Sequence, residues 1–418
     1  MKIVYVTPRL PYPSTRGDRI RAHHHLRHLC RHHEVHLVSL VGPSPTLRSS
    51  DTPSEKPSKA WIESFASISL ASTGSLATTA RLASAFATAT PLVTAGFSAP
   101  QLRHAVERRC ASDTDILWIC NGALLPTLAD IPARHRVVDL VDADSDKWRQ
   151  MAEHHGGPRA LLYRREARLT RDQEAAAAHL ADARLVVSAA EADYLRTLDP
   201  DAPPPHVVSN GVDLDSFPLS DIGETPVILF TGALDYEPNI DAILFFAREV
   251  LPGIRRQIPS TQFLAVGSRP SRRLHRAARR CQFDIVGNVA DVRPYFARAR
   301  AVVAPIRLGR GLQNKVLEAM ASGLPVVATP LALAGLKSWH EETTLCAETP
   351  AALVGGCVEL LTDRDLAGRL AASGRRFVAE RHRWRTVFGE IDTFLAELRA
   401  TECTPDAADA AAASAAPG

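Results

Sequence analysis

Apolar and polar positions come in alternating blocks along this chain. In the first half, KIVYV (Lys2–Val6), EVHLVSLV (Glu34–Val41), DILWIC (Asp115–Cys120), RVVDLV (Arg136–Val141) and ARLVVSA (Ala183–Ala189) are short runs of β-formers. Runs of roughly four to eight such residues predict strands buried in a parallel sheet. Gly17 to His32 has helical spacing between the first two runs, so the β-α-β order predicts a right-handed crossover. GPSPTLRSSDTPSEKPSK (Gly42–Lys59) predicts a polar loop. From Asp199 to Glu224 the chain turns rich in Pro, Asp and Ser, as a linker does. The rhythm then restarts with PVILFTG (Pro226–Gly232), a helix from Asn239 to about Ile258, TQFLAVG (Thr261–Gly267), FDIVGNV (Phe283–Val289), AVVAPI (Ala301–Ile306) and PVVAT (Pro325–Thr329). That restart predicts two α/β domains in series, hinged near residue 215. The Ala/Asp/Pro-rich stretch from Thr401 onward reads as disordered.

Length agrees with two domains: 418 residues exceed one ordinary core. A formal charge of +3 is too small to imply nucleic-acid binding. Seven cysteines with no Cys-x-x-Cys pair read as free thiols of a reducing, cytoplasmic setting. MKIVYVTPRLPYP has a strand rhythm and no long apolar core of a signal peptide. The nearest approach to a membrane span, SLATTARLASAFATAT (Ser75–Thr90), is interrupted by Arg81, so at most the protein lies on a membrane.

The densest candidate chemistry lies at RGLQNKVLEAMASGLPVVATP (Arg310–Pro330). A strand is followed by a glycine loop and then a helix that Gly323 ends as a left-handed cap. Ligands of open α/β sheets bind at such carboxyl edges, and helix N-termini attract phosphate. A diphosphate fits on Gly309 to Gln313, with Lys315 beside it and Glu318 one turn on accepting ribose hydroxyls. The competing reading makes Lys315 and Glu318 an exposed ion pair three residues apart.

VLEAMASGLPVVAT (Val316–Thr329), SNGVDLDSF (Ser209–Phe217), VILFTGALDYEPNIDAILFFAREVLP (Val227–Pro252) and TPRLPYPSTRGDRIRAHHHLRHL (Thr7–Leu29) together resemble the GT-B fold glycosyltransferases, family 4 in particular. VDADSDKW-like and RGLQNKVLEAM-like segments are similar to bacterial sugar transferases of exopolysaccharide assembly, including those accompanying exosortase systems. The resemblance covers roughly residues 1–395. It implies an α/β GT-B fold, two facing Rossmann-like doubly wound domains with an interdomain cleft. Two departures stand out. Arg310 occupies the place of the family's first glutamate, and GALDYEPN (Gly232–Asn239) lacks the usual Arg and Lys that grip the diphosphate. Arg307, Arg310 and Lys315 are expected to supply that charge, with Gly232, Gly309 and Gly311 giving backbone room; a solvated loop is the alternative.

In the first half, Gly17 opens a helix after a Pro-rich turn and suits close approach to a sugar; Asp18 and Arg19 there read equally as a cap and a surface charge. VVDLVDADSDKW (Val137–Trp148) sets Asp139, Asp142, Asp144 and Asp146 at a strand's carboxyl end. Asp142 or Asp144 is expected to contact acceptor hydroxyls or act as a base, with helix capping as the alternative. A metal pair is disfavoured, because such pairs serve a different glycosyltransferase fold. The histidines of HHHLRHLCRHHEVH (His23–His36) lack a completing ligand and read as a solvated basic face. GRG (Gly309–Gly311) is a poor dinucleotide fingerprint, since Asn314 replaces the third glycine.

The expected protein is therefore a cytoplasmic transferase, with peripheral contact with the inner membrane. It moves sugar from a UDP- or GDP-sugar to a glycan or lipid-linked acceptor, with retention, and requires no cofactor or metal. Residues 1–210 would form the acceptor domain, 211–225 the linker and 226–380 the nucleotide-sugar domain. Residues 381–400 would form a helix crossing back, and 401–418 a tail. A sugar-nucleotide epimerase of the same fold and a non-catalytic nucleotide-sugar-binding subunit are the rival readings.

Overall fold

The computed structural model describes residues 1–12, 17–41, 57–111, 113–219, 223–289 and 291–400; the tail and most of the expected 42–59 loop lie outside them. Seven strands form the first sheet: β1 (Lys2–Thr7), β2 (Glu34–Val41), β3 (Ser67–Ser72), β4 (Ile116–Cys120), β5 (His135–Val141), β6 (Ala183–Val186) and β7 (His206–Val207). Their order is β3-β2-β1-β4-β5-β6-β7, every pair parallel. The second sheet contains β8 (Val227–Thr231), β9 (Gln262–Gly267), β10 (Asp284–Gly287), β11 (Ala301–Ala304), β12 (Val326–Ala328) and β13 (Leu345–Cys346). It runs β10-β9-β8-β11-β12-β13, again all parallel. Both are doubly wound, with strand order reversing between β1 and β4 and between β8 and β11.

Each expected strand is present. The unexpected ones, β3, β7 and β13, are edge strands that are short or only partly apolar. The helix expected from Asn239 to Ile258 instead runs Glu237–Phe245, widens into a π-turn at Phe246–Val250 and resumes as Leu251–Gln257. Pro252 has no N–H to donate and clashes with the preceding turn, which accounts for the break. The six described cysteines form no disulfide with one another.

The Trp384–Ala400 helix packs on the first sheet: Trp384, Val387, Ile391 and Phe394 share a core with Ile3, Tyr5, Leu26 and Trp118. That packing corrects the solvated-face reading of the first helix, Gly17–Leu29. His25 is fully buried, His24 stacks on Trp384 at 4.0 Å, and His28 stacks on Phe388 at 4.4 Å. Imidazole rings are flat enough to serve as packing surface, and their aromatic partners lie more than 300 residues away. Arg19 is likewise buried, not a surface charge.

The linker is clamped from the same side. Val212 N donates to His382 O at 2.7 Å, and a Cβ on Gly211 would meet the Trp384 ring at 2.8 Å. Beneath it, Arg21 is 0% exposed. Its Nε and one terminal nitrogen bond Asp139 at 2.8 and 3.1 Å. The other terminal nitrogen donates to Val208 O at 2.7 Å, Ser209 O at 3.2 Å and Asn210 Oδ1 at 3.1 Å.

Removing one partner of a buried pair strands the other charge. Arg21→Met is expected to destabilise by about 3–5 kcal/mol in denaturant unfolding, and adding Asp139→Leu to restore much of that loss. An Arg21→Met protein as stable as the parent would contradict this.

Candidate active site

The crevice at the β8/β11 switch point is built from two loops and one helix. Gly232 follows β8 with φ +150°, and a Cβ there would come within 2.8 Å of Asn239 Nδ2 and 3.4 Å of Lys315 Cε. Asn239 Nδ2 donates to Ala233 O at 2.9 Å, which turns Oδ1 toward Lys315 Nζ at 2.7 Å. Gln313 Oε1 lies 3.3 Å from the same ammonium, and the Phe230 ring centre 4.8 Å. Lys315 stands in the first turn of the Asn314–Ala321 helix and is buried, which pushes it down to about 7 against the opposing pull of Glu318. The carboxylate of Glu318, half-buried one turn on, has no hydrogen bond to the described residues; burial pushes it up to about 7 while Lys315 lowers it. Lys315 therefore reaches for Asn239, and the exposed ion-pair reading does not hold.

Facing this crevice is the carboxyl end of β5. Val141 takes φ +66°, a costly conformation for a β-branched residue. Asp142 follows, half-buried, its N–H donating to Leu140 O at 2.9 Å and its carboxylate without a hydrogen bond to the described residues. Burial, then Glu191 and Asp144, push its carboxyl up to about 8. Asp144 and Asp146 begin the Asp144–His154 helix, where its dipole favours anions. Asp144 pairs with Lys147. Burial alone would raise Asp146, but bonds from Arg310, Gln150 and Arg149 outweigh it and hold the carboxyl low. Asp142 and Asp144 line a cleft of about 440 Å³, counting its open mouth, with Asn121, Trp148, Gln173 and Glu174. Glu174 is pushed up to about 8, mainly by burial.

The two halves meet through polar contacts. Arg310 bonds Glu191 Oε1 through Nε, Asp146 Oδ2 and Ala190 O through its terminal nitrogens, each at 2.9 Å, and lies 4.8 Å over the Tyr194 ring. Gly311 N donates to the same Glu191 oxygen at 3.2 Å, and Gly309 N to Gln150 Oε1 at 2.9 Å. Gly309 and Gly311 have φ of +103° and +77°, and a Cβ on Gly311 would lie 1.8 Å from Asp142 Oδ1. Arg307 grips Asp241 at 2.8 and 3.1 Å over the Phe245 ring, with His154 Nε2 of the first domain 3.0 Å from the same carboxylate. A Cβ on Gly17 would lie 3.4 Å from Asn314 Nδ2, which brings the start of the first helix to the start of the Asn314–Ala321 helix.

Of the cations expected to hold a diphosphate, Arg310 and Arg307 are thus engaged with carboxylates, and Lys315 is held by amide oxygens. The Gly309 and Gly311 N–H groups are also taken, by Gln150 and Glu191. Sequence spacing inside one domain carries no sign of partners from the other. Gln150 and Glu191 escape it because they stand on the first domain, and Asn239 because it belongs to a different βα unit of the second.

Residues 225–363 match the family model described as Glycosyl transferases group 1. Over 189 residues the chain is 28% identical to a GDP-mannose-dependent alpha-(1-6)-phosphatidylinositol monomannoside mannosyltransferase of Mycobacterium tuberculosis, covering 42% of this chain and 48% of that protein. The chain therefore spans about half the length of the curated relatives it matches. Among solved structures, sucrose-phosphate synthase from Thermosynechococcus elongatus superposes with a TM-score of 0.71 at 18% identity, over 96% of this chain and 100% of that one. Anabaena HepE in complex with UDP-glucose gives 0.66 at 14% identity, over 95% and 100%. The fold is GT-B, two facing Rossmann-like domains.

Arg310→Glu would set a third carboxylate against Asp146 and Glu191. The domains are expected to separate, with a larger radius of gyration in small-angle scattering and faster amide exchange at Gly309 and Gly311. Unchanged scattering and exchange would show that Arg310 does not hold the interface closed.

Proposed function

We propose that this protein is a glycosyltransferase that moves sugar from a UDP- or GDP-sugar to a glycan or lipid-linked acceptor. The observation that carries this reading is the buried Lys315. It is aimed by Asn239 beneath Gly232 at a topological switch point, with an unbonded Glu318 carboxylate one turn on. Loss of a diphosphate leaving group builds negative charge, which a desolvated ammonium stabilises better than a hydrated one. Glu318 accepts ribose hydroxyls. From the facing domain Asp142, with a carboxyl near operating pH, hydrogen-bonds the acceptor hydroxyl, and Asp144, held by Lys147, shapes that side. Donor entry displaces Glu191 from the Gly311 N–H and the Arg310 guanidinium, freeing both for the sugar diphosphate. Retention of configuration and a place in exopolysaccharide assembly are further parts of the proposal, supported by the resemblance of the Arg310–Thr329 and Val137–Trp148 segments.

Lys315 gives the proposal a proton signature. Its folded pKa is lowered to about 7, so at about pH 8 the free protein holds it mostly neutral; a bound diphosphate favours the ammonium, and a proton is taken up. Calorimetric heats of UDP or GDP binding should vary with buffer ionisation enthalpy, and this dependence should vanish in Lys315→Met. Lys315→Met should weaken diphosphate binding about tenfold or more while sparing the nucleoside; Glu318→Ala should cost both ligands about 1–3 kcal/mol. Equal loss of nucleoside and diphosphate in Lys315→Met overturns the phosphate role. Epimerisation without acceptor, or binding without turnover on any lipid-linked or glycan acceptor, overturns the transferase reading.

A further inference from the structure

The Ser75–Ala87 helix is inverted relative to an ordinary surface helix. Leu76, Ala80, Ala83, Phe86 and Ala87 are exposed, Leu76 by 89% and Phe86 by 59%, while the helix's one charge, Arg81, turns inward to Ala95 O at 3.1 Å. Water therefore meets an apolar face that carries no charge. Beside it runs the Gly157–Leu180 helix, joined to the first by Arg165, which lies 4.8 Å over the Phe86 ring and donates to Ala85 O and Thr90 O at 2.5 and 3.1 Å. Within one turn of Arg165, Leu161 is 65% exposed and Arg164 and Arg168 are exposed. Residues 161, 164, 168 and 171 share one helix stripe, and Arg171 continues it. Arg164, Arg168 and Arg171 form no ion pair with the described residues; Asp172 is the exposed acid on this side, since Glu166 and Glu174 are buried.

We infer that this face of the first domain lies on an anionic lipid bilayer, with Leu76, Phe86 and Leu161 entering the acyl boundary and the arginine stripe meeting lipid phosphates. Large exposed apolar side chains flanked by unpaired arginines match the two demands of such a surface, apolar burial and anionic headgroups. A second copy of the chain fits poorly, because a two-fold contact centred on Phe86 would bring Arg164 and Arg168 toward their own copies. This inference does not rest on nucleotide chemistry.

Vesicle flotation of the full chain tests it, using phosphatidylcholine alone and phosphatidylcholine with about one third phosphatidylglycerol. Partitioning should be about tenfold stronger or more on the anionic vesicles and should fall with added salt. Leu76→Ser/Phe86→Ser should lose most of that binding, and Arg164→Glu/Arg168→Glu should lose the anionic preference. A Leu76→Trp variant should show blue-shifted emission on the anionic vesicles. Circular dichroism, melting and nucleotide calorimetry should match the parent in every variant, which separates failure here from misfolding and from failure of the transferase reading. Equal partitioning to both vesicles, binding unaffected by Leu76→Ser/Phe86→Ser, an unshifted Leu76→Trp spectrum, or a dimer in sedimentation that Phe86→Ser dissolves would overturn the inference.

Discussion

A single buried guanidinium ties the molecule together. Arg21, on the first helix, is saturated by Asp139 on β5 and by three oxygens from residues 208–210 at the exit of the first domain. Asp139 lies three residues before Asp142, so the same bonds that hold the linker also fix where β5 releases the acidic turn. A buried ion pair gains little net stability over well-packed apolar groups. What it supplies is direction: a planar fork satisfies these acceptors only when helix, strand and linker stand at one mutual angle. Arg21 therefore couples the hinge to the first-domain side of the cleft.

Across the cleft the arrangement is self-satisfied. Glu191 accepts from Ala143 N at 2.6 Å on its own domain and from Arg310 and Gly311 on the other, so one carboxylate organises both walls. It offers the glycine loop what an anionic ligand would offer, an acceptor in line with an N–H and a guanidinium. Arg310, the departure from the family pattern at the first glutamate, is thereby explained locally: its partners are acids of the facing domain, and a glutamate would meet repulsion there.

Much of the fold was legible in the sequence because parallel strands buried on both faces must be continuous apolar runs. β2 was read to its ends, whereas β3, SISLAS, was not, because its small and polar residues suit a half-covered edge. Lys315 and Glu318 were legible as neighbours because helical spacing fixes that relation within one element. Their environment was not: the amide of Asn239 comes from a different βα unit, and the partners of Arg307 and Arg310 from the Glu237–Phe245 helix and the first domain. The histidines of the first helix were misread for the same reason, since Trp384 and Phe388 are far along the chain.

The returning Trp384–Ala400 helix has a consequence for the order of assembly during synthesis. The second sheet and the helices around it draw on residues up to about Val378, so that unit can close as soon as those residues clear the ribosome. The first domain begins to emerge earlier, yet one flank, around Ile3, Tyr5 and Trp118, stays uncovered until Trp384 to Leu398 arrive. The half of the protein made first is thus completed last, and its apolar flank is what a nascent-chain chaperone would meet throughout elongation.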